Sequence, residues 1–399
     1  MNWKEGTNLL IDTQVTRKAT NCIKWNVRHD LNDDELLPMW IADMDIATAP
    51  CIRLALEKAL GEKVLGYFEA SSAFFKAICD WEEKRHQVSL QAKQILLSPS
   101  VTTALSLAIR HLTKPMDKIL VFSPFYPPYK TIIEANHRQL VDLPLVIKDG
   151  QYTIDFDQLA QFFSDSAMTA MIMCNPHNPG GRVWSADELL KVQQLAAKHH
   201  VLIFADEIHN DISYPDLPTS SMLNDQVDHV FQQQTLVFKS ATKAFNLAGA
   251  KVSFIFVKNE HYREILQNAI EQEQSNEINT LGLVATRAAY EQGLPWLNAV
   301  TAYLEDNRDA ALDYLGKYLP KIKPMKTEST YLLWLDFCSY HLTDRQLADG
   351  LTKKAHLFLN AGSDYGHAGE GFMRLNFAVD RKVLSDALRR LSKFDQLYR

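Results

Sequence analysis

The sequence predicts a large α/β domain with a mostly parallel, doubly wound sheet, joined to a smaller α+β domain. Three observations carry this. Apolar runs near positions 170, 202, 236 and 253 alternate with helical patterns, the rhythm of strands joined by packed helices. Three consecutive runs are each followed by a polar side chain just past the carboxyl end: Asn178 after 170–173, Asp206 after 201–204 and Lys243 after 235–239. Open α/β sheets gather ligand chemistry at that edge. Past Glu260 the pattern turns helical and then gives short strands around 330–336, 356–359 and 373–377, which suit a separate, smaller sheet.

The elements follow in order. Residues 1–37 read as a polar, irregular arm, and 37–50 as an extended strand and turn leading into a helix over 51–60. A short strand at 94–97 feeds the hydroxyl-rich turn Ser98-Pro99-Ser100-Val101-Thr102-Thr103 and a helical pattern to Leu112. Free N–H groups at such a helix start make an anion site, and a plain Ser/Thr cap is the other reading of the same residues. The strand 118–122 is followed by Ser123-Pro-Phe-Tyr-Pro-Pro-Tyr129, where prolines stiffen the turn that carries the aromatic rings. Residues 155–165 form a helix, and Ser185 with Glu188 has capping-box spacing at the head of another that runs to His200. A long helix over 296–319 leads to the last region, where Thr343 opens a helix and 381–397 closes the chain as one. The expected division is an arm over 1–46, a large domain over 47–289 and a small domain over 290–399.

Composition bounds the function. With 399 residues, 46% hydrophobic and 23% charged, and a net charge of −6, the chain is an ordinary globular one with no basic patch for nucleic acid. The polar amino terminus and the absence of a run near ~20 apolar residues point to a cytoplasmic protein away from membranes. Five scattered cysteines never fall as CxxC and read as reduced thiols, and without an HExxH pattern no metal site is expected.

The spellings NPHNPGGRVW from Asn175, DEIH from Asp206 and SATKAFNLAG from Ser240, in this order and spacing, resemble the fold-type I pyridoxal-phosphate enzymes of the class I/II aminotransferase superfamily. With PMWIADMD from Pro38 they look most like its cystathionine β-lyase, or C-S lyase, branch. The resemblance implies pyridoxal 5′-phosphate as cofactor, an amino acid as substrate and a homodimer with shared active sites. It implies Lys243 as the cofactor's covalent anchor and proton carrier, Asp206 at the pyridine nitrogen and Tyr126 stacked on the ring, which together form the catalytic set. Asn178 is implied at the ring hydroxyl. Ser100, Val101, Thr102 and Ser240 are implied at the phosphate, and Tyr67 reaches it from the neighbouring subunit. Tyr67 also stands as an ordinary packed tyrosine.

Arg374 matches the arginine that grips the substrate carboxylate, in the bidentate geometry that suits it. Trp40, in the segment that lines the substrate entrance, joins Arg374 and Tyr67 as a substrate contact. Two positions depart from the family pattern. Lys251 stands where many relatives carry arginine, supplying charge without a fork. His209 replaces a tyrosine, and is either a cofactor neighbour or a packed histidine. The expected reaction is β-elimination from an L-cysteine S-conjugate, giving thiol, pyruvate and ammonia. The rivals are an aminotransferase of the same fold and a cofactor-binding regulatory protein.

Overall fold

The computed structural model describes residues 11, 13, 15–17, 20–62, 64–214, 217–275 and 277–398. Part of the expected arm, including its first ten positions, lies outside them. The principal sheet has seven strands: β1 (Ile95–Ser98), β2 (Lys118–Ser123), β3 (Gln139–Pro144), β4 (Met168–Cys174), β5 (Leu202–Asp206), β6 (Thr235–Lys239) and β7 (Ser253–Val257). They lie in the order β1-β7-β6-β5-β4-β2-β3. The pairs β6/β5, β5/β4, β4/β2 and β2/β3 are parallel, and β7 runs antiparallel to both β1 and β6.

The central strands are buried on both faces, which is why they read as continuous apolar runs rather than alternating ones. Successive side chains still part company, because the strand period is two. Ile172, Phe204, Phe238 and Ile255 enter one apolar cluster with the helix α2 (Val101–Leu112), whereas Met173, Ala205, Val237 and Phe256 enter the other. That second cluster also takes the helix α1 (Ser72–His86) and the helix Thr280–Gln292.

The smaller sheet orders β8 (Lys323–Pro324), β9 (Leu332–Asp336), β10 (Asn360–Ala361) and β11 (Phe372–Asn376) as β8-β9-β11-β10, antiparallel throughout. The 25-residue helix α3 (Leu294–Tyr318) and the final helix Arg381–Leu397 pack together beside it. No helix among the described residues is long and apolar enough to cross a membrane.

Several features differ from the sequence reading. The run at 356–359 does not join the smaller sheet: Leu357–Phe358 pairs in parallel with Leu37–Pro38, and the sheet takes Asn360–Ala361 instead. The arm contains a helix, Ile23–Asp30, which buries only Lys24 and Val27 and so shows no apolar stripe. The edge strand β3 was not expected; half-exposed along much of its length, it lacks the apolar run of its neighbours. The strand near 253 follows β6 without a crossover helix. The intervening residues form the Lys243 loop and one short turn, so the chain returns antiparallel instead of wrapping round for a parallel partner.

Candidate active site

The carboxyl ends of β4, β5 and β6 open onto a cavity of about 420 Å³ that also borders α2 and the smaller sheet. Asn178, Asp206 and Lys243 all line it, as the strand-end argument expects. Ser100, Val101, Thr102, Tyr126, Ser240, His209, Lys251, Trp40 and Arg374 line it too, so twelve of the thirteen candidates converge. Tyr67 does not. It lies fully exposed at 103% relative area, in a stretch where Val64, Leu65 and Phe68 are exposed as well.

Asp206 is buried at the end of β5, and its carboxylate accepts from Tyr129 Oη at 2.6 Å and from Ile208 N–H at 3.2 Å. Burial pushes its pKa up, and the donors and Lys243 only partly oppose that. The sequence reading singled out Tyr126 from the Ser123–Tyr129 turn and missed Tyr129. The first turn of the helix Pro128–Ala135 turns Tyr129 inward, and nothing in the spelling distinguishes two tyrosines three apart. Tyr126 packs edge-on against Tyr129, with centroids 5.6 Å apart, and faces the cavity.

Lys243 Nζ donates to Ala42 O at 2.6 Å. Burial lowers its pKa to about 8, with the nearby Arg374 charge adding to the effect. Ala42 belongs to the irregular segment 39–46, bent at 41–42 and 45–46, which is fastened from both sides. Asn376 Nδ2 donates to Ile41 O and Asp43 O, each at 2.6 Å, and Tyr331 Oη to Ala42 O at 3.0 Å. From the lysine loop, Asn246 bonds both N–H and C=O of Met44 and reaches Ile46 O. Asn246 has a φ of 57°, a left-handed conformation that asparagine tolerates better than most residues.

Ser100 caps α2, its hydroxyl accepting from Thr103 N–H at 3.1 Å. The Val101 and Thr102 N–H groups are left without intrahelical acceptors at the positive end of the dipole. Ser240 Oγ donates to Val252 O at 2.6 Å and accepts from Thr242 N–H, which stiffens the lysine loop. Lys251 is an exposed residue with a φ of 54° on the cavity rim. His209 is buried with Nδ1 unpartnered, and its ring sits edge-on to Tyr331. Burial and the positive charges of Lys243 and Arg374 push its pKa well down, so the imidazole is neutral.

Arg374 is 4% exposed in β11. It donates to Asn178 Oδ1 at 3.0 Å, to Trp40 O at 2.9 Å and to Asn360 Oδ1 at 2.8 Å. Its Nε has no partner. Trp40 therefore contributes a backbone carbonyl as well as a ring, and that ring packs on Phe358 with its N–H on Lys24 O. Among the described residues no group of three or more His, Cys, Asp or Glu side chains is placed to hold a metal ion, and all five cysteines are unpaired.

Residues 37–391 match the family of class I and II aminotransferases. The chain belongs to that family. Among its relatives, cystathionine beta-lyase PatB of Bacillus subtilis is 36% identical over 95% of this chain and 98% of the relative. Protein MalY of Escherichia coli is 30% identical, covering 93% and 94% respectively. Cystalysin from Treponema denticola, whose crystal structure contains pyridoxal 5′-phosphate, superposes with a TM-score of 0.93 at 31% identity, over 97% of this chain and 98% of that one. The PLP-bound C-S lyase of Staphylococcus hominis gives 0.88 at 31% identity, over 95% and 97%.

Proposed function

We propose that this class I and II aminotransferase family member is a pyridoxal 5′-phosphate-dependent lyase that cleaves the carbon–sulfur bond of L-cysteine S-conjugates, cystathionine among them. The products are a thiol, pyruvate and ammonia. The observation that carries the reading is the convergence, in one cavity, of a partly buried lysine of lowered basicity, a buried carboxylate and a buried arginine. Relatives named as cystathionine beta-lyases and C-S lyases, at 30% identity or more over nearly the whole chain, support the choice of reaction.

The residues fit the cofactor. Asp206 would hold a protonated pyridine nitrogen, whose positive charge would offset the burial of its carboxylate. The α2 N–H groups of Val101 and Thr102 would take the phosphate, with Ser100, Ser240 and Lys251 around it. Tyr126 would stack on the ring. Asn178, whose Oδ1 is engaged by Arg374, keeps its amide N–H groups for the ring hydroxyl, and His209 lies nearby as a neutral imidazole. When bound, pyridoxal phosphate supplies an aldehyde to the substrate amine and a ring that accepts the electron pair left on Cα.

Lys243 anchors the cofactor at rest. Once released, its amine, with a pKa lowered to about 8, is unprotonated in about one molecule in ten at pH 7 and about half at pH 8. It takes the proton from Cα and returns one to the departing sulfur. Arg374 grips the substrate carboxylate and sets the Cα–H bond toward Lys243, while Trp40 borders the entrance. A second copy of the chain would bury the exposed 64–68 stretch and bring its Tyr67 to the phosphate, so we take the enzyme as a homodimer. We take the division as an arm over 1–46, a large cofactor domain over 47–289 and a small domain over 290–399, and the compartment as cytoplasmic, where five unpaired thiols stay reduced.

The test is thiol release from cystathionine, cystine and S-alkyl cysteines without an added keto acid. Pyruvate and thiol in equal amounts support the lyase; amino transfer that depends on a keto acid points to the aminotransferase alternative. Lys243→Ala is expected to lower the rate by orders of magnitude and to leave no borohydride-reducible adduct at position 243.

A further inference from the structure

Asn360 stands directly opposite Arg374 across the β10/β11 pair, so the two side chains share one face of the smaller sheet. Both line the cavity. The hydrogens of Arg374 are unevenly used. Nη2 donates twice, to Trp40 O at 2.9 Å and Asn360 Oδ1 at 2.8 Å, while the buried Nε has no acceptor. A guanidinium has five N–H donors in a fixed plane, and a carboxylate takes two neighbouring ones at once. The Tyr365 ring lies 5.2 Å from the Arg374 Cζ, which keeps the plane from tilting.

A carboxylate seated on Nε and Nη2 therefore needs one present acceptor of Nη2 to leave. Trp40 O belongs to the backbone of segment 39–46, held by the Asn376, Tyr331 and Asn246 side chains. Asn360 Oδ1 is on a side chain that rotates. From this asymmetry we infer that Asn360 is a stand-in for the substrate carboxylate. Its amide oxygen satisfies Arg374 while the site is empty, and on binding it gives way and turns its amide N–H to the incoming carboxylate. Asn360 thereby selects for the carboxylate itself, a second reader beside Arg374. The inference rests on the proposed role of Arg374 and extends it to a residue that the sequence reading did not single out.

The experiment compares S-methyl-L-cysteine with its carboxamide, each mixed by stopped flow with the cofactor-loaded enzyme and followed by the absorbance change of the bound cofactor before turnover. The displacement of Asn360 is common to both probes and cancels in the ratio of their dissociation constants. The charged hydrogen bond from its amide does not. Asn360→Ala is expected to cut the preference for the acid by about tenfold, the worth of one hydrogen bond to a charged group. Asn360→Asp, nearly the same shape, places a fixed anion on Arg374 and is expected to weaken acid binding by about a hundredfold or more while affecting the carboxamide far less. An unchanged preference in Asn360→Ala, or acid binding in Asn360→Asp equal to wild type, overturns the inference. Because binding is scored, a wild-type enzyme that binds S-methyl-L-cysteine and releases no thiol defeats the lyase reading alone.

Discussion

Lys243 and Arg374 are two cations on one cavity, and the charge of the arginine shapes the lysine. The lysine amine is lowered from 10.5 to about 8, first by burial and then by the Arg374 charge. In cofactor-free protein, labelling of Lys243 by an amine-selective reagent is expected to reach half its maximal rate near pH 8. Arg374→Met removes the repelling charge and moves that midpoint upward, which mass-spectrometric counting of the adduct across a pH series measures. The same variant, assayed with the loaded enzyme, is expected to raise KM for amino acids as the carboxylate grip is lost, and to lower kcat because the Cα–H bond is no longer set toward Lys243. The order and spacing of Asn178, Asp206 and Lys243 at three strand ends was enough to put the lysine on the cavity. Ala42 O, Tyr331 and Asn360 were not findable. Their parts come from a backbone carbonyl, a phenol and an amide that meet the two cations only through pairings between segments far apart in the chain.

At the level of elements, the strand–turn–helix unit of β1 and α2 shows how much local chemistry is written locally. Ser100, three residues before Thr103, caps α2 as the hydroxyl-rich turn predicts. Ser100→Ala leaves the Thr103 N–H without its acceptor and is expected to cost about 1 kcal/mol in urea unfolding. The capping boxes at Ser185 and Thr343 likewise appear where the sequence places one and opens the other helix. The direction of β7 was not legible, since the residues between β6 and β7 carry helix-like and loop-like features together. What decides it is the length taken up by the Lys243 loop. The helix Ile23–Asp30 was hidden for a different reason: its one buried charged residue, Lys24, is paired with Asp45 at 3.0 Å, and no periodicity reports an ion pair.

Across the whole molecule, the site is braced from behind by charges in the core. Lys239, at the end of β6, pairs with Glu82 of α1 at 2.8 Å, and both are essentially inaccessible. Asp211 accepts from Trp81 Nε1 at 2.9 Å and meets His86 Nε2 at 2.8 Å. Glu82→Ala leaves a buried ammonium with more distant carboxylates only, and is expected to destabilise the fold by about 3–5 kcal/mol, read as a lowered urea midpoint. Burial raises Glu207, next to Asp206, from 4.5 to about 7. The folded state then binds this proton more tightly than the unfolded one, so its contribution to stability is present below pH 4.5 and lost as pH rises to about 7. Glu207→Gln is expected to remove that part of the pH slope, measured as the difference between wild-type and variant unfolding free energies. The apolar central strands were readable from the sequence, whereas this charged brace was not, because its members come from α1, the turn after β5 and the end of β6 without a shared motif. Segment 39–46 has a temporal meaning as well. Its carbonyls wait for donors that the ribosome delivers some two hundred to over three hundred residues later, at Asn246, Tyr331 and Asn376. A nascent chain halted before Tyr331 has its lysine but not the fastened carbonyl, so acquisition of the cofactor is expected to be among the last events of biogenesis.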